Sequence, residues 1–494
     1  MLTLAAMLER AERWFPEVEL VERGRRANYR ELGQRSRALA RALLAAGLRP
    51  GERVALALWN RIAHLEAWFG VALAGGVAHP LNLRLHPRQW AAILQQAQDR
   101  FAIVEAGLMD AWRQTGAPAR VFDYPDGTAA LLAAAPEGDL PPVGENDGAA
   151  LGYTSGTTGE PKGVIYSHRA LALHALAISL PDANDFRQCD CVLPLVPMFH
   201  ANAWGWPHAA TLLGARQVFA GERFDAEAVL DLLATEQVTR SAGVPVIWQG
   251  VLDALERHPG RWPLHPELRV NLGGAPAPAA LFRRFDRHGI AVNMGWGMTE
   301  MTPVGAINPL LAPDGAPDFA ERRARQGRLL PFVEGRTAAS GELEVRGPWV
   351  ATRYVGGASA DSFTADGWLR TGDIVEFDAG GLMRIVDRAK DLIRSGGEWI
   401  SSVALENALA SHPDVAEAAV IAMPDPRWQE RPLALVVPRA GAAADAAAWR
   451  RHLEAQFPAW QCPDEYRVLE ALPRTSTGKI DKRKLREDHR AANA

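Results

Sequence analysis

Short apolar runs bounded by turn residues alternate with stretches of helical spacing from residue 29 to residue 272. This alternation constrains the fold more than any other feature. Residues 29–48 place Leu32, Leu39, Leu43 and Leu44 near one helical stripe, with Gly47 as a C-cap. A buried strand is expected over 54–58, a helix over 62–74 and another strand over 101–104. The pattern continues with strands at 148–153, 164–166, 191–196, 215–219 and 269–272, and a helix over 226–235. Strands alternating with helices in this way predict parallel sheets covered by helices, the α/β class.

The character changes after Gly341. Strands at 342–345, 367–370, 374–377 and 382–386 are separated by glycines, which predicts a small β-barrel-like unit. A compact α+β tail follows: helix 402–410, strands 416–422 and 433–437, helix 445–456, strand 466–469, and a last helix from about residue 481. The expected division is a large N-terminal domain over 1–387 and a small, mobile C-terminal domain over 388–494. At roughly 150 residues per domain, the length of 494 residues suits two or three folding units.

Composition excludes several function classes. The net charge of −4 argues against bulk nucleic-acid binding or a membrane-surface role. Cys189, Cys191 and Cys462 cannot build a disulfide framework, so a reducing, cytoplasmic setting is expected. The lone Cys-x-Cys lacks a second ligand pair for zinc. The first ten residues reach charge too soon for a secretory signal. Residues 67–83, the longest uncharged apolar stretch, contain Gly75, Gly76, His79 and Pro80 and read as helix, turn and loop; a membrane span needs about 20 apolar residues.

Basic residues are skewed: 49 arginines against five lysines, at positions 162, 390, 479, 482 and 484. An ammonium is a compact point charge whereas guanidinium is a planar fork. The lysines that remain are therefore expected where guanidinium will not serve.

The strongest local signal is Tyr153-Thr-Ser-Gly-Thr-Thr-Gly-Glu-Pro-Lys-Gly163, set between two apolar strands. Its three glycines and four threonine and serine hydroxyls can aim backbone N–H groups and O–H donors at phosphate oxygens, and Lys162 adds charge. It is not a Walker loop, because Lys162 follows Pro161 and leads into a second strand rather than a helix.

This loop resembles the phosphate-binding signature of the AMP-forming adenylating superfamily, which includes acyl-CoA synthetases, peptide-synthetase adenylation domains and luciferases. Further motifs follow in that superfamily's order: Pro197-Met-Phe-His-Ala-Asn-Ala-Trp204, Gly273-Gly-Ala-Pro-Ala-Pro278, Gly295-Trp-Gly-Met-Thr-Glu300, Leu369-Arg-Thr-Gly-Asp373, Asp387-Arg-Ala-Lys-Asp-Leu-Ile-Arg-Ser-Gly-Gly-Glu-Trp399 and Pro473-Arg-Thr-Ser-Thr-Gly-Lys479. They cover nearly the whole chain. Phe199 to Trp204, Met298 to Met301 and Ser395 to Trp399 look most like medium- and long-chain fatty acid–CoA ligases.

The resemblance implies ATP, Mg²⁺ and coenzyme A as co-substrates and cofactors. Ser155, Gly156, Thr157, Thr158, Gly159 and Lys162 would cradle phosphates, and Thr154 and Glu300 would hold Mg²⁺, a hard ion suited to oxygen ligands. Gly274, Gly295 and Thr299 match nucleotide contacts, and Trp296 matches the adenine-stacking aromatic. Asp373, following Thr371-Gly372 in what reads as a tight turn, matches the acceptor of the ribose hydroxyls. Arg388, Arg394 and Trp399 match further nucleotide contacts. His200 corresponds to a histidine near the reacting carboxylate, where a donor or partial positive charge would help. Trp204 corresponds to the gate of an acyl tunnel. Lys479 would bridge carboxylate and α-phosphate during adenylation, and Lys390 would be the hinge of the small domain.

Three departures stand out. Arg394 replaces a usual lysine, Ala201 replaces a larger apolar residue, and the segment from Gly327 to Gly341 is short where relatives fit a hairpin. The expected activity is an ATP-dependent ligase forming medium- or long-chain fatty acyl-CoA through an acyl-adenylate. Its rivals are an aryl or short branched acid–CoA ligase, an acyl-AMP ligase that loads a carrier protein, and a non-catalytic nucleotide-binding scaffold. The expected partners are small molecules only, with no nucleic acid and no transmembrane segment, and the expected assembly is a homodimer.

Overall fold

The computed structural model describes residues 1–154, 161–311, 316, 318–357, 360–475 and 479–492. Their architecture is mixed α/β, with two large sheets in the N-terminal part, a four-stranded sheet after them and a five-stranded sheet in a smaller C-terminal part.

The six-stranded sheet runs in the order 120–124, 101–105, 53–57, 77–80, 148–153, 163–167. Its first five strands are parallel, and Gly163–Ser167 returns antiparallel to Gly148–Tyr153. The nine-stranded sheet has a parallel centre. Strands 291–297, 269–272, 240–243, 191–194, 216–219 and 19–22 lie side by side, with antiparallel strands at both edges. Near-continuous apolar runs such as Val54–Ala57 and Val270–Leu272 suit strands buried on both faces.

Helix Ile62–Leu73 is buried along its whole length, as its predominantly apolar character predicts. Its one acidic residue, Glu66, is matched by Arg25 at 2.6 Å and Arg35 at 2.8 Å, as a buried charge requires.

Two details differ from the sequence reading. Val77–Pro80 is a fully buried central strand rather than loop. Pro80 ends the strand, and His79 is satisfied by Asp99 at 2.9 Å, so neither breaker residue interrupts the ladder. Residues 369–377 form one strand rather than two. Asp373 therefore sits within a strand and not in a tight turn: Gly372 takes φ +72°, and the register shifts at Ile374 and Val375.

The small β unit is an antiparallel sheet in the order 334–337, 342–346, 369–377, 383–388. The shortened segment still supplies its edge, the exposed strand Glu334–Thr337. The tail has helix Ser402–Ala410, long paired strands Val415–Asp425 and Gln429–Pro438, helix Ala446–Glu454, strand Glu465–Val468 and helix Lys482–Ala492. Among the described residues, no helix is long and apolar enough to cross a membrane.

Candidate active site

Chain segments leaving the carboxyl ends of the parallel strands converge on one region, the usual ligand position in open α/β sheets. Gly273 and Gly274 follow strand Arg269–Leu272, Gly295 and Trp296 close Ala291–Gly297, and the run from Pro197 to Trp204 follows Cys191–Pro194. Thr154 leaves Gly148–Tyr153 in the other sheet.

Trp296 is buried, and its indole N–H donates to Asp373 Oδ2 at 2.9 Å. Asp373 is 1% exposed, and its Oδ1 lies 2.6 Å from Arg388 Nε. Gly274 adopts φ +76°, and the position of a Cβ there would lie 3.5 Å from Trp204 Cζ2 and 3.8 Å from Lys479 Cε. A Cβ on Gly273 would approach Trp204 Cη2 to 3.0 Å. Gly273 therefore permits a close approach that a side chain would obstruct, whereas Gly274 is called for by its positive φ rather than by lack of space. Gly295 lies over Asn271, whose Oδ1 would be 3.3 Å from a Cβ at that position.

Lys479 thus reaches the N-terminal site from the C-terminal part. Burial, followed by the nearby Arg388 charge, lowers its pKa to about 8, against the opposing pull of Asp373 and Glu300. His200 is partly buried. Its pKa falls to about 3, chiefly through burial, with the Lys479 and Arg84 charges adding to the effect. At neutral pH it is an uncharged imidazole, so it offers an N–H donor and not the positive charge allowed for above.

Glu300 is buried rather than on the surface. Its Oε1 accepts a hydrogen bond from Tyr354 Oη at 2.6 Å. Among the described residues no donor engages Oε2. The carbonyl of Thr299 accepts from Tyr166 Oη at 2.7 Å. Thr154 Oγ1 accepts the Lys162 N–H at 3.0 Å, and Lys162 Nζ reaches Ser362 Oγ at 3.4 Å. A buried carboxylate with one oxygen unengaged is the kind of hard donor that Mg²⁺ takes together with phosphates and water. Glu300 fits that ion, and Thr154 offers a second oxygen. Ser155, Gly156, Thr157, Thr158 and Gly159 lie outside the described residues.

Two expected residues stand apart. Arg394 and Trp399 belong to the hairpin formed by Ile393–Ser395 and Glu398–Ile400, where the guanidinium lies 4.5 Å from the indole centre and Trp399 is half exposed. Among the described residues neither shares a hydrogen bond, ion pair or ring contact with Trp296, Asp373 or Lys479. Lys390 lies between strands Met383–Arg388 and Ile393–Ser395, and burial lowers its pKa.

Sequence reasoning missed the backbone that presents Trp204. Ala201, Asn202, Ala203, Trp204 and Gly205 all have positive φ, between 42° and 76°. Left-handed conformation costs non-glycine residues roughly 1–2 kcal/mol each, and such strain concentrates at functional sites. Only Asn202 and Gly205 hinted at it by residue type. Tyr354 and Tyr166 were also missed, because neither falls in a quoted motif. Lys482 has a structural role: it is buried against Glu406 at 2.7 Å and donates to Ser402 Oγ at 2.7 Å.

Residues 8–355 match the AMP-binding enzyme family, and residues 404–479 match the AMP-binding enzyme C-terminal domain. The chain belongs to the AMP-binding enzyme family. It is 42% identical to a long-chain-fatty-acid–CoA ligase of Thermus thermophilus, over 99% of this chain and 96% of that one. It is 37% identical to a medium-chain-fatty-acid–CoA ligase of Ectopseudomonas oleovorans, over 99% and 96%. Among solved structures it resembles O-succinylbenzoate coenzyme A synthetase from Bacillus subtilis in complex with ATP and magnesium ion, with TM-score 0.84, 27% identity, and coverage of 97% of this chain and 99% of that one.

Proposed function

We propose that this member of the AMP-binding family is an ATP-dependent acid–CoA ligase that joins a medium- or long-chain fatty acid to coenzyme A through an acyl-adenylate, releasing AMP and pyrophosphate. The observation that carries this reading is the meeting of Lys479 and Trp204 over Gly274, beside the Trp296–Asp373–Arg388 group and Glu300. One ammonium, one aromatic and polar cluster, and one apolar indole are neighbours there.

A carboxylate is a poor electrophile until its oxygen attacks the α-phosphorus of ATP and pyrophosphate departs. That step joins two anions, so positioning and charge neutralisation supply most of the catalysis. In this reading Asp373 accepts the ribose hydroxyls, Trp296 stacks on adenine, and Gly274 and Gly295 let the nucleotide approach the backbone. Lys162 holds the outer phosphates. Lys479 lies between the acid's carboxylate and the α-phosphate, and neutral His200 donates to the carboxylate. Thr154 and Glu300 would hold Mg²⁺, which supplies charge neutralisation on the phosphates.

The thiolate of coenzyme A then attacks the acyl carbon and AMP leaves. We place the division between domains at 387/388 and the pivot at Lys390. Asp387 Oδ2 takes the Ser402 N–H at 2.6 Å and the Ser402 hydroxyl at 2.8 Å, so the large and small parts are bonded across that point. Turning about Lys390 would carry Lys479 away and bring the Arg394–Trp399 hairpin toward the nucleotide.

Trp204, packed on Gly273 and Gly274, stands between nucleotide and acyl chain in this reading. The test is pyrophosphate release across a panel of even-numbered fatty acids and two aryl acids, with and without coenzyme A. The expected result is release that peaks at a medium or long chain, with thioester formed only when coenzyme A is present. A best substrate of acetate or an aryl acid would overturn the substrate class. Adenylate without thioester would favour transfer to a carrier protein.

A further inference from the structure

Tyr354 lies outside every motif that marks the site, yet it touches two of the site's charged groups from one side. It follows the small sheet's strand Glu342–Arg346 and is 5% exposed. Its hydroxyl donates to Glu300 Oε1 at 2.6 Å, and the face of its ring lies 5.0 Å from Lys162 Nζ. The ring packs at 5.7 Å against Phe363, and the neighbouring Ser362 hydroxyl takes the Lys162 ammonium at 3.4 Å. Glu300 and Lys162 come from different sheets, and this one side chain spans them.

The rest of the Glu300 turn is fixed independently. Its carbonyl accepts the Ala351 N–H at 2.7 Å, and the preceding carbonyl accepts from Tyr166. What those bonds leave undetermined is the rotation of the Glu300 carboxylate and the distance from that carboxylate to the Lys162 ammonium. The Tyr354 hydroxyl fixes the first by engaging one oxygen. The ring fixes the second by offering its negative face to the cation. A phenol is protonated at neutral pH, so the Tyr354 hydroxyl is a donor to the carboxylate.

We propose that Tyr354 is a positioning residue for the phosphate end of the site: it turns the second oxygen of Glu300 toward the metal-bearing phosphates and sets the spacing between that carboxylate and Lys162. This rests on the reading of Glu300 as a Mg²⁺ ligand. Partners of metal ligands that orient them typically change metal affinity or activity by about 10- to 100-fold when removed. Tyr354→Phe keeps the ring and deletes the bond to Glu300, whereas Tyr354→Leu deletes both contacts.

The test is calorimetric binding of ATP without acid or coenzyme A, repeated over a range of Mg²⁺ concentrations. For Tyr354→Phe the Mg²⁺ needed for half of its effect on ATP affinity should rise about tenfold. Tyr354→Leu should in addition weaken ATP binding in the absence of Mg²⁺, because Lys162 loses its support. In a Glu300→Gln background, Tyr354→Phe should change the Mg²⁺ requirement no further. Should the leucine variant fail to fold, the phenylalanine variant and the Glu300 background still decide. A Tyr354→Phe protein with the parent's Mg²⁺ dependence, or with an undiminished effect in the Glu300→Gln background, overturns the positioning role. A parent protein whose ATP binding ignores Mg²⁺ overturns instead the reading of Glu300 on which it rests.

Discussion

The Trp296 indole N–H donates to the Asp373 carboxylate at 2.9 Å, joining the nine-stranded sheet to the small antiparallel sheet at one buried contact. The bond fixes the plane of the ring and one oxygen of the carboxylate, while Arg388 meets the other. A tyrosine or phenylalanine ring here would keep a stacking face and lose this donor.

Trp296→Phe tests the contact. Hydrogen bonds to charged groups are worth about 1.5–3 kcal/mol, so KM for ATP should rise roughly tenfold or more, with kcat changing less. Asp373→Ala should cost more, because it also removes the proposed ribose acceptor and the carboxylate that pairs with Arg388. Steady-state kinetics varying ATP measures both. Equal KM values for Trp296→Phe and the parent would show that the bond is incidental.

Lys479 is expected to act as a cation in adenylation. Burial and the Arg388 charge lower its pKa to about 8, so the active, protonated form is lost as pH rises through that value. The pH profile of kcat/KM for ATP, which reports the free enzyme, should fall on its basic side near pH 8. Lys479→Ala should slow adenylate formation on the order of 100- to 1,000-fold and yet still convert supplied acyl-adenylate to acyl-CoA. A profile that stays flat well past this pH, or equal loss in the two half-reactions, would contradict the role. Lys390→Pro, by fixing φ at the proposed pivot, should do the reverse and impair thioester formation alone.

Four buried histidines tie stability to pH. Burial lowers the pKa of His64 and His168 from 6.5 to about 4, and that of His174 and His208 to about 3. Below pH 6.5 the unfolded chain binds protons that the folded chain refuses, so stability present above 6.5 is lost as pH falls toward the folded values. Each histidine costs about 2 kcal/mol of stability by about pH 5. His208 packs 4.5 Å from the Trp68 ring centre, and among the described residues both its ring nitrogens lack partners. His208→Phe should therefore lose less stability than the parent between neutral pH and pH 5 in denaturant titrations. An unchanged difference would refute this account of His208.

Much of the fold was legible because its strands announce themselves. Runs such as Gly148–Tyr153 and Arg269–Leu272, and helices such as Ala226–Thr235 and Ser402–Ala410, fall where apolar pattern and flanking turns put them. Val77–Pro80 was hidden because its polar and proline residues are satisfied by tertiary partners that no local window contains. Thr371-Gly-Asp373 resembles a turn locally and becomes strand only because Gly372 N–H finds the Glu342 carboxylate and Thr371 Oγ1 finds the Leu343 carbonyl. The site shows the same division. Trp296, Asp373 and Glu300 were visible as residue types at fixed spacing, whereas Tyr354 meets Glu300 and Lys162 only through contacts far apart in sequence.

Acyl preference should depend on how Trp204 lies against its two glycines. Each methylene buried beside it should add roughly 0.8 kcal/mol, about fourfold in affinity, until the pocket ends. On Gly273→Ala the new Cβ would meet the indole at 3.0 Å and the Gly295 carbonyl at 3.2 Å. That variant should displace the indole and flatten the dependence of kcat/KM on chain length, as should Trp204→Ala. Profiles parallel to the parent's would remove Trp204 from acyl selection.

In the proposed reaction a carboxylate oxygen attacks the α-phosphorus of ATP. Supplying a fatty acid labelled with ¹⁸O in both carboxylate positions, with ATP and coenzyme A, and weighing the products by mass spectrometry tests it most directly. One ¹⁸O is expected in AMP, one is retained in the acyl-CoA, and pyrophosphate stays unlabelled. Label in inorganic phosphate with ADP as the nucleotide product, or AMP without label, would contradict it.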